Sequence, residues 1–181
     1  MLPNQSNFLS DDSISTLRRL LGVSIHTIYT PTLDAAGAHL AAWSLSMLIS
    51  KDKFVNFSCE WSETPRFLND SWLVKVSESS NPIRIERNET GALVAPCTIS
   101  IYFAKPIRKI EIFNHDWEDD QDSEESVHYD QAILFHCEEE RDFCIAYMLN
   151  GPGLAEYLHF SEDKFVIQDM LSQSKSRLVL E

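Results

Sequence analysis

From residue 55 to 61 the chain alternates without a break: Val55, Phe57, Cys59 and Trp61 are apolar, while Asn56, Ser58 and Glu60 are polar. A period of two sends successive side chains to opposite faces of an extended strand and does not fit the stripe of a helix. The same period runs backwards through Ala41, Trp43, Leu45, Met47 and Ile49, with Ser44 and Ser46 between them. The Ala content there keeps a helix open, but alternation favours a strand. With "SKDK" as a turn, residues 40–61 are expected to form a β-hairpin.

Most of the remaining chain reads the same way. "VSIHTIYT" and "WLVKVSE" alternate as strands, and "PIRIER" is a candidate short strand. "CTISIYF" and "IRKIEIF" are expected to make a second hairpin around "AKP", with Pro106 at the corner where it removes no ladder bond. "QAILFHC" and "FCIAYML" flank the charged tip "EEERD" as a third hairpin. Both faces of its first arm are apolar, as in a central strand covered on two sides. "SETPRFLNDS" reads as a loop, "NGPG" as a turn, "AEYLHF" as a short strand and "SRLVLE" as the closing strand.

Two helices are expected. "SDDSISTLRRLLGV" offers Asp11 or Asp12 as a cap, the stripe Ile14, Leu17, Leu20 and Leu21, and Gly22 as a terminator. Near the C-terminus Ser161 is the expected cap, with Glu162 and Asp163 in the first turn and Val166, Ile167, Met170 and Leu171 inward. The resulting fold class is α+β: a mostly antiparallel sheet built from hairpins, with an N-terminal and a C-terminal helix packed on it. The 181 residues fit a single domain, with a weak subdivision near residue 90 as the alternative.

Charge is unevenly placed. Residues 1–112 hold 11 acids and 11 Lys or Arg, whereas residues 113–181 hold 17 acids and 4 Lys or Arg, so the whole net charge of −13 belongs to the second part. Nucleic acid and anionic membranes are poor partners for such a surface, and a basic protein patch or a cation suits it better. "MLPNQSNFLSDD" has no basic, apolar leader pattern, and "AGAHLAAWSLSMLI" is too short and too interrupted to span a bilayer. A cytoplasmic protein that does not bind membranes is the expectation. Cys59, Cys97, Cys137 and Cys144 form no CxxC pair and read as free thiols, with a Cys137–Cys144 bridge open only to an oxidising compartment.

The segment "NHDWEDDQDSEESVHYD", residues 114–130, carries eight acids and no Lys or Arg. It has three readings. It is a solvated connector kept open by its own repulsion, a Ca²⁺ loop, or a docking surface for a basic partner. The Ca²⁺ formula, started at Asn114, finds Asp116, Glu118 and Glu125 in place but Asp119 where the sharp turn needs Gly. For docking, clustered carboxylates pair with Arg forks and speed association, and Trp117 supplies an aromatic anchor. The candidate partner-binding residues are therefore Asp116, Trp117, Glu118, Asp119, Asp120, Asp122, Glu124 and Glu125. The tip at 138–142 extends this acidic surface if the fold brings it alongside.

Six histidines, His26, His39, His115, His128, His136 and His159, show no zinc spacing. His115 and His128 would approach each other if the stems of the acidic segment pair. His136 and Cys137, as neighbours on a strand, point to opposite faces. No nucleophile elbow, phosphate loop or dinucleotide turn occurs, and no cofactor is implied. The reading leans away from an enzyme, although triads are defined by geometry and not by order. The functional expectation is a non-enzymatic acidic protein-binding domain, of the inhibitor or immunity type, covering a basic partner surface. The alternative is a small-ligand- or metal-binding domain, open to catalysis, with a pocket at the sheet–helix seam.

Overall fold

In the computed structural model, which describes residues 5–36, 39–62, 71–102, 104–118, 126–147 and 157–181, two sheets face each other. In chain order the first elements are β1 (Gln5–Asn7), α1 (Asp11–Arg18), β2 (Thr27–Thr30), β3 (Asp34–Ala36) and β4 (His39–Ala42). β5 (Ser44–Ser50), β6 (Lys53–Ser62), β7 (Ser71–Ser79), β8 (Cys97–Ser100) and β9 (Ile107–Glu118) follow. The chain closes with β10 (Ser126–Cys137), β11 (Phe143–Tyr147), β12 (Leu158–Ser161), α2 (Lys164–Leu171) and β13 (Lys175–Leu180). The larger sheet has the order β13-β9-β10-β11-β12-β4-β3, with β1 beside β10, and the smaller has β7-β6-β5-β2-β8. Every pairing within these sheets is antiparallel except β1 with β10.

One cluster of buried side chains joins the sheets. Ile28, Leu45, Met47, Val55, Phe57, Val76 and Ile99 come from the smaller sheet, and Ile110, Ile112, Ile133, Phe135, Phe143, Ile145, Leu158 and Phe160 from the larger. Phe57 and Phe135 meet edge to face with ring centres 6.1 Å apart. This corrects the expected α+β architecture of one sheet with a helix packed on it from each terminus. The helices have eight residues each, about 12 Å of length, against roughly 30 Å across the larger sheet. They are too short to cover it, so each sheet buries its apolar face against the other. α1 adds Leu17 to the shared core, and Ser13 on α1 serves the edge of β7. Its hydroxyl donates to the Val76 carbonyl at 3.0 Å and accepts from the Val76 N–H at 3.2 Å. Backbone groups that an edge strand would leave open are thereby satisfied. α2 covers a small patch on the outer face, where Ile167 and Met170 pack on Ala132, Leu134, Cys144 and Ala146.

Several local expectations shift. Residues 40–61 do not form one hairpin: the chain turns a corner at Trp43, so β4 pairs in the larger sheet while β5 and β6 form a hairpin in the smaller. β8 pairs with β2, and β9 with β10 and β13, so "AKP" crosses between sheets and does not close a hairpin. "PIRIER" contributes only an isolated bridge, Arg87 to Leu93. The hairpin of β10 and β11 and the closing strand β13 stand as expected. Ser10, one position before Asp11, caps α1 through the Ser13 N–H. Asp163, two positions after Ser161, caps α2 through the N–H groups of Phe165 and Val166. Residues 63–70 of the "SETPRFLNDS" loop and "NGPG" lie outside the described residues, and Ser62 and Ser71 at its ends belong to β6 and β7.

The main polar tie in the larger sheet is Asp130, 3% exposed. Its oxygens accept from Arg177 Nε at 2.7 Å, Arg177 Nη2 at 2.6 Å and the Leu9 N–H at 2.7 Å. Register shifts between Asp130 and Ala132 and between Ser176 and Leu178 place the two partners across β9. The guanidinium also lies 4.5 Å from the Phe8 ring centre. Removing one partner of a buried pair leaves the other charge uncompensated. Asp130→Ala is expected to lower the unfolding free energy by about 3 kcal/mol in urea titrations, and adding Arg177→Met should recover part of that loss. Equal destabilisation in the single and double variants would mean that the Leu9 N–H, not Arg177, is what Asp130 serves.

Candidate functional site

The described residues of the acidic segment, 114–118 and 126–130, are strand. β9 runs through Glu118 and β10 begins at Ser126, with Ser126 opposite Glu118, His128 opposite Asp116 and Tyr129 opposite His115. Of the candidate residues, Asp116 is placed with its side chain. Trp117 and Glu118 end β9 opposite Val127 and Ser126, with side chains outside the description, and Asp119, Asp120, Asp122, Glu124 and Glu125 lie outside the described residues. His115 and His128 do not converge. Their cross-strand pairs are adjacent in the register, so they point to opposite faces. His115 Nδ1 lies 3.0 Å from the Gln173 carbonyl.

Asp116 collects donors on one face of these stems: Asn114 Nδ2 at 2.8 Å, His128 Nδ1 at 2.8 Å and Lys175 Nζ at 3.3 Å. The His128 hydrogen bond, opposed by partial burial and assisted by Lys175, holds its carboxyl below the usual carboxylate range. β13 stops pairing with β9 at Asn114, so from His115 onward β9 has β10 alone beside it among the described residues. Past the last β13 pair the stems continue with β1 beside β10 at Val127–Tyr129, so this end of the larger sheet is three strands wide, β9, β10 and β1.

The tip "EEERD" is not part of the same surface. It follows Cys137, at the far end of β10 from Ser126, and the twelve residues of that strand separate the two acidic ends by roughly 36 Å. Glu139 and Glu140 there have φ of +59° and +56°, a left-handed conformation that costs non-glycine residues energy. Glu139 pairs with Lys105 at 2.8 Å and Glu140 with Lys164 at 2.9 Å.

Beside this turn lies a groove of about 430 Å³ between β10 and α2, bordered by Arg108, Leu134, His136, Asp142, Lys164 and Ile167. It adjoins a second hollow of about 320 Å³ at Tyr102 and Glu162. His136 is fixed between two carboxylates, with Nδ1 3.0 Å from Asp142 and Nε2 3.2 Å from Glu111. A neutral ring donates from one nitrogen only, whereas an imidazolium meets both acids. Burial pushes the Glu111 carboxyl up, but donors from Ser176, Lys109 and His136 outweigh it and hold the group below its usual value. Burial raises Glu162, and Arg141 only partly opposes it. With both nitrogens of His136 engaged, the ring has none left to activate a nucleophile in this arrangement. Cys137, next in sequence, points into the shared core, where burial pushes its thiol up to about 12. The groove instead sets charges of both signs, Arg108, Lys164 and Asp142, and His136 beside the apolar Leu134 and Ile167, a lining that can hold a polar ligand.

The four cysteines are free thiols. Cys137 packs in the core between the sheets and Cys144 on the opposite, α2-covered face, so a bridge between them would have to pass through the sheet. Among the described residues no group of three His, Cys, Asp or Glu side chains converges as a metal site, and no helix is long and apolar enough to cross a membrane. The alternative expectation of a pocket at the sheet–helix seam named no lining residues, because the groove joins Arg108, His136 and Lys164 from three separated elements. The one available signal was His136 among apolar neighbours on a two-faced strand. Compared with known proteins, the chain matches no family model, no curated protein and no solved structure.

A carboxyl depressed on folding contributes stability above the unfolded value of about 3.9, and that contribution is lost as pH falls through the lower folded value. His128→Gln is therefore expected to raise the Asp116 titration toward the ordinary carboxylate range, read from side-chain carboxyl shifts in NMR. An unchanged midpoint would show that Lys175, not His128, sets it.

Proposed function

We propose that this chain is a non-enzymatic acidic protein-binding domain, of the inhibitor or immunity type, that covers a basic surface on its partner. The observation that carries the reading is where the charge sits. The net charge of −13 comes from the second part of the chain, and among the described residues Asp130 is the one buried carboxylate. The rest of the described acids are left at the surface, where they raise encounter rates with a basic partner and select against acidic ones.

The binding surface in this reading is the end of the sheet that carries the β9 and β10 stems, with Asp116, Trp117, Glu118, Asp119, Asp120, Asp122, Glu124 and Glu125. Its support is that β9 runs past its last pair with β13 at Asn114, which puts Asp116 at the margin of the sheet. Carboxylates at such a margin reach a basic site, including one shaped for phosphates, without burying the sheet behind them. The second reading, a ligand-binding domain, is favoured by the groove between β10 and α2 with His136 at its floor.

Replacing the seven acids from Asp116 to Glu125 by Asn or Gln is expected to leave the protein folded, because exposed charges contribute little to stability. It should abolish salt-sensitive capture of a basic protein from native lysate, tested at low and moderate ionic strength. A companion variant, Glu138, Glu139 and Glu140 to Gln, should retain capture because it lies at the other end of β10. Loss of capture in the companion alone moves the interface to the turn beside the groove. Salt-independent recovery by all forms contradicts the charge-based reading.

A further inference from the structure

We infer that His39 and His159 form a two-imidazole site for a divalent transition-metal ion such as Zn²⁺, Cu²⁺ or Ni²⁺. The inference stands apart from both acidic ends and from the groove, and rests on neither reading of function.

The site follows from strand register. On β12, Leu158 and Phe160 enter the core between the sheets, so His159 between them points to the outer face of the larger sheet. It sits opposite Ala146 of β11 on one side and Ala41 of β4 on the other. His39 lies two residues from Ala41 on β4 and therefore shares that face. The two rings meet edge to face, with centres 4.5 Å apart and planes at 70°. Small alanines beside them leave room for both rings over the sheet.

Their nitrogens are the unusual feature. His159 is 2% exposed, and neither Nδ1 nor Nε2 has a hydrogen-bond partner. Nε2 of His39 is likewise buried and unpartnered. Buried polar atoms are almost always satisfied by protein, water or an ion, and three unpartnered ring nitrogens at one spot are a strong departure. Burial, reinforced by the nearby His39 ring, pushes His159 down to about 4.

Ligand chemistry selects the ion. Two imidazoles suit Zn²⁺, Cu²⁺ or Ni²⁺, whereas Ca²⁺ and Mg²⁺ require oxygen donors. Metal–nitrogen bonds of about 2.0 Å bring the centres of two rings on adjacent coordination positions to roughly 4.5–5 Å, and the observed separation falls in that range. No third His, Cys, Asp or Glu completes the set among the described residues. Asp34 on β3, paired with Ala41, is the nearest carboxylate that the register puts on this face, and it is exposed.

The test uses the full-length chain with ZnCl₂ or CuSO₄ as the probe. Zn²⁺ in excess should raise the melting temperature of the wild type relative to EDTA, because an ion that binds only the folded state stabilises it. His39→Gln and His159→Gln should each remove the rise, while His128→Gln and His136→Gln keep it. Cu²⁺ electron paramagnetic resonance should show coupling to two imidazole nitrogens in the wild type and to one in His39→Gln. If His159→Gln fails to fold, the His39→Gln spectrum still decides. No metal-dependent rise in the wild type, or the same rise and two-nitrogen spectrum in His39→Gln, overturns the assignment.

Discussion

Strand β10 has to be covered on both faces, and the architecture follows from that demand. Its odd-numbered Ile133, Phe135 and Cys137 join the core shared with the smaller sheet, while Ala132 and Leu134 on the other face pack under α2. A strand whose run Ala132–Phe135 is apolar on both sides cannot lie at a surface. One face requires a second sheet and the other at least a helix. At the strand's two ends the demand lapses, and the outer face becomes polar. Asp130 is tied to Arg177 and Leu9 at one end, and His136 is set between Asp142 and Glu111 at the other.

That arrangement separates stability from the surface on which function has to rest. The interior uses Asp130 and leaves the other described carboxylates outside. Asp116 on the stems and Glu138–Glu140 at the turn are separated by the length of β10. The stems of β9 and β10 pass the last β13 pair at Asn114, and Lys175 of β13 still reaches Asp116 at 3.3 Å. The turn that carries Glu139 and Glu140 in left-handed conformation borders the groove. A basic partner can engage one end without disturbing the core, which is the physical content of the proposed binding role.

Much of the element pattern was legible from alternation. Residues 55–61, the two arms around "EEERD" and the closing "SRLVLE" appear as strands because period-two burial writes itself directly into sequence. Which sheet a strand joins was not legible, because alternation records faces and not partners. "CTISIYF" and "IRKIEIF" looked like a hairpin through nearness in sequence, yet β8 pairs with β2 and β9 with β10. The corner at Trp43 left no break in the alternation from Ala41 to Ile49. In "SDD" three consecutive residues can each cap a helix, and only the extended backbone of Ser10 distinguishes it. The pairing of His128 with Asp116 depended on whether the acidic stems pair. The contact of His39 with His159 required β12 to lie beside β4, which neither segment announces.

The account depends most on the two sheets facing each other. Its most direct test is a nuclear Overhauser measurement between the aromatic protons of Phe57 and Phe135, with each ring labelled selectively. These residues belong to different sheets and have ring centres 6.1 Å apart. A strong cross-peak between the rings is the predicted result. Absence of the peak in well-dispersed spectra, with Phe135 showing contacts to helical protons in its place, would contradict the two-sheet core and restore a helix-covered sheet.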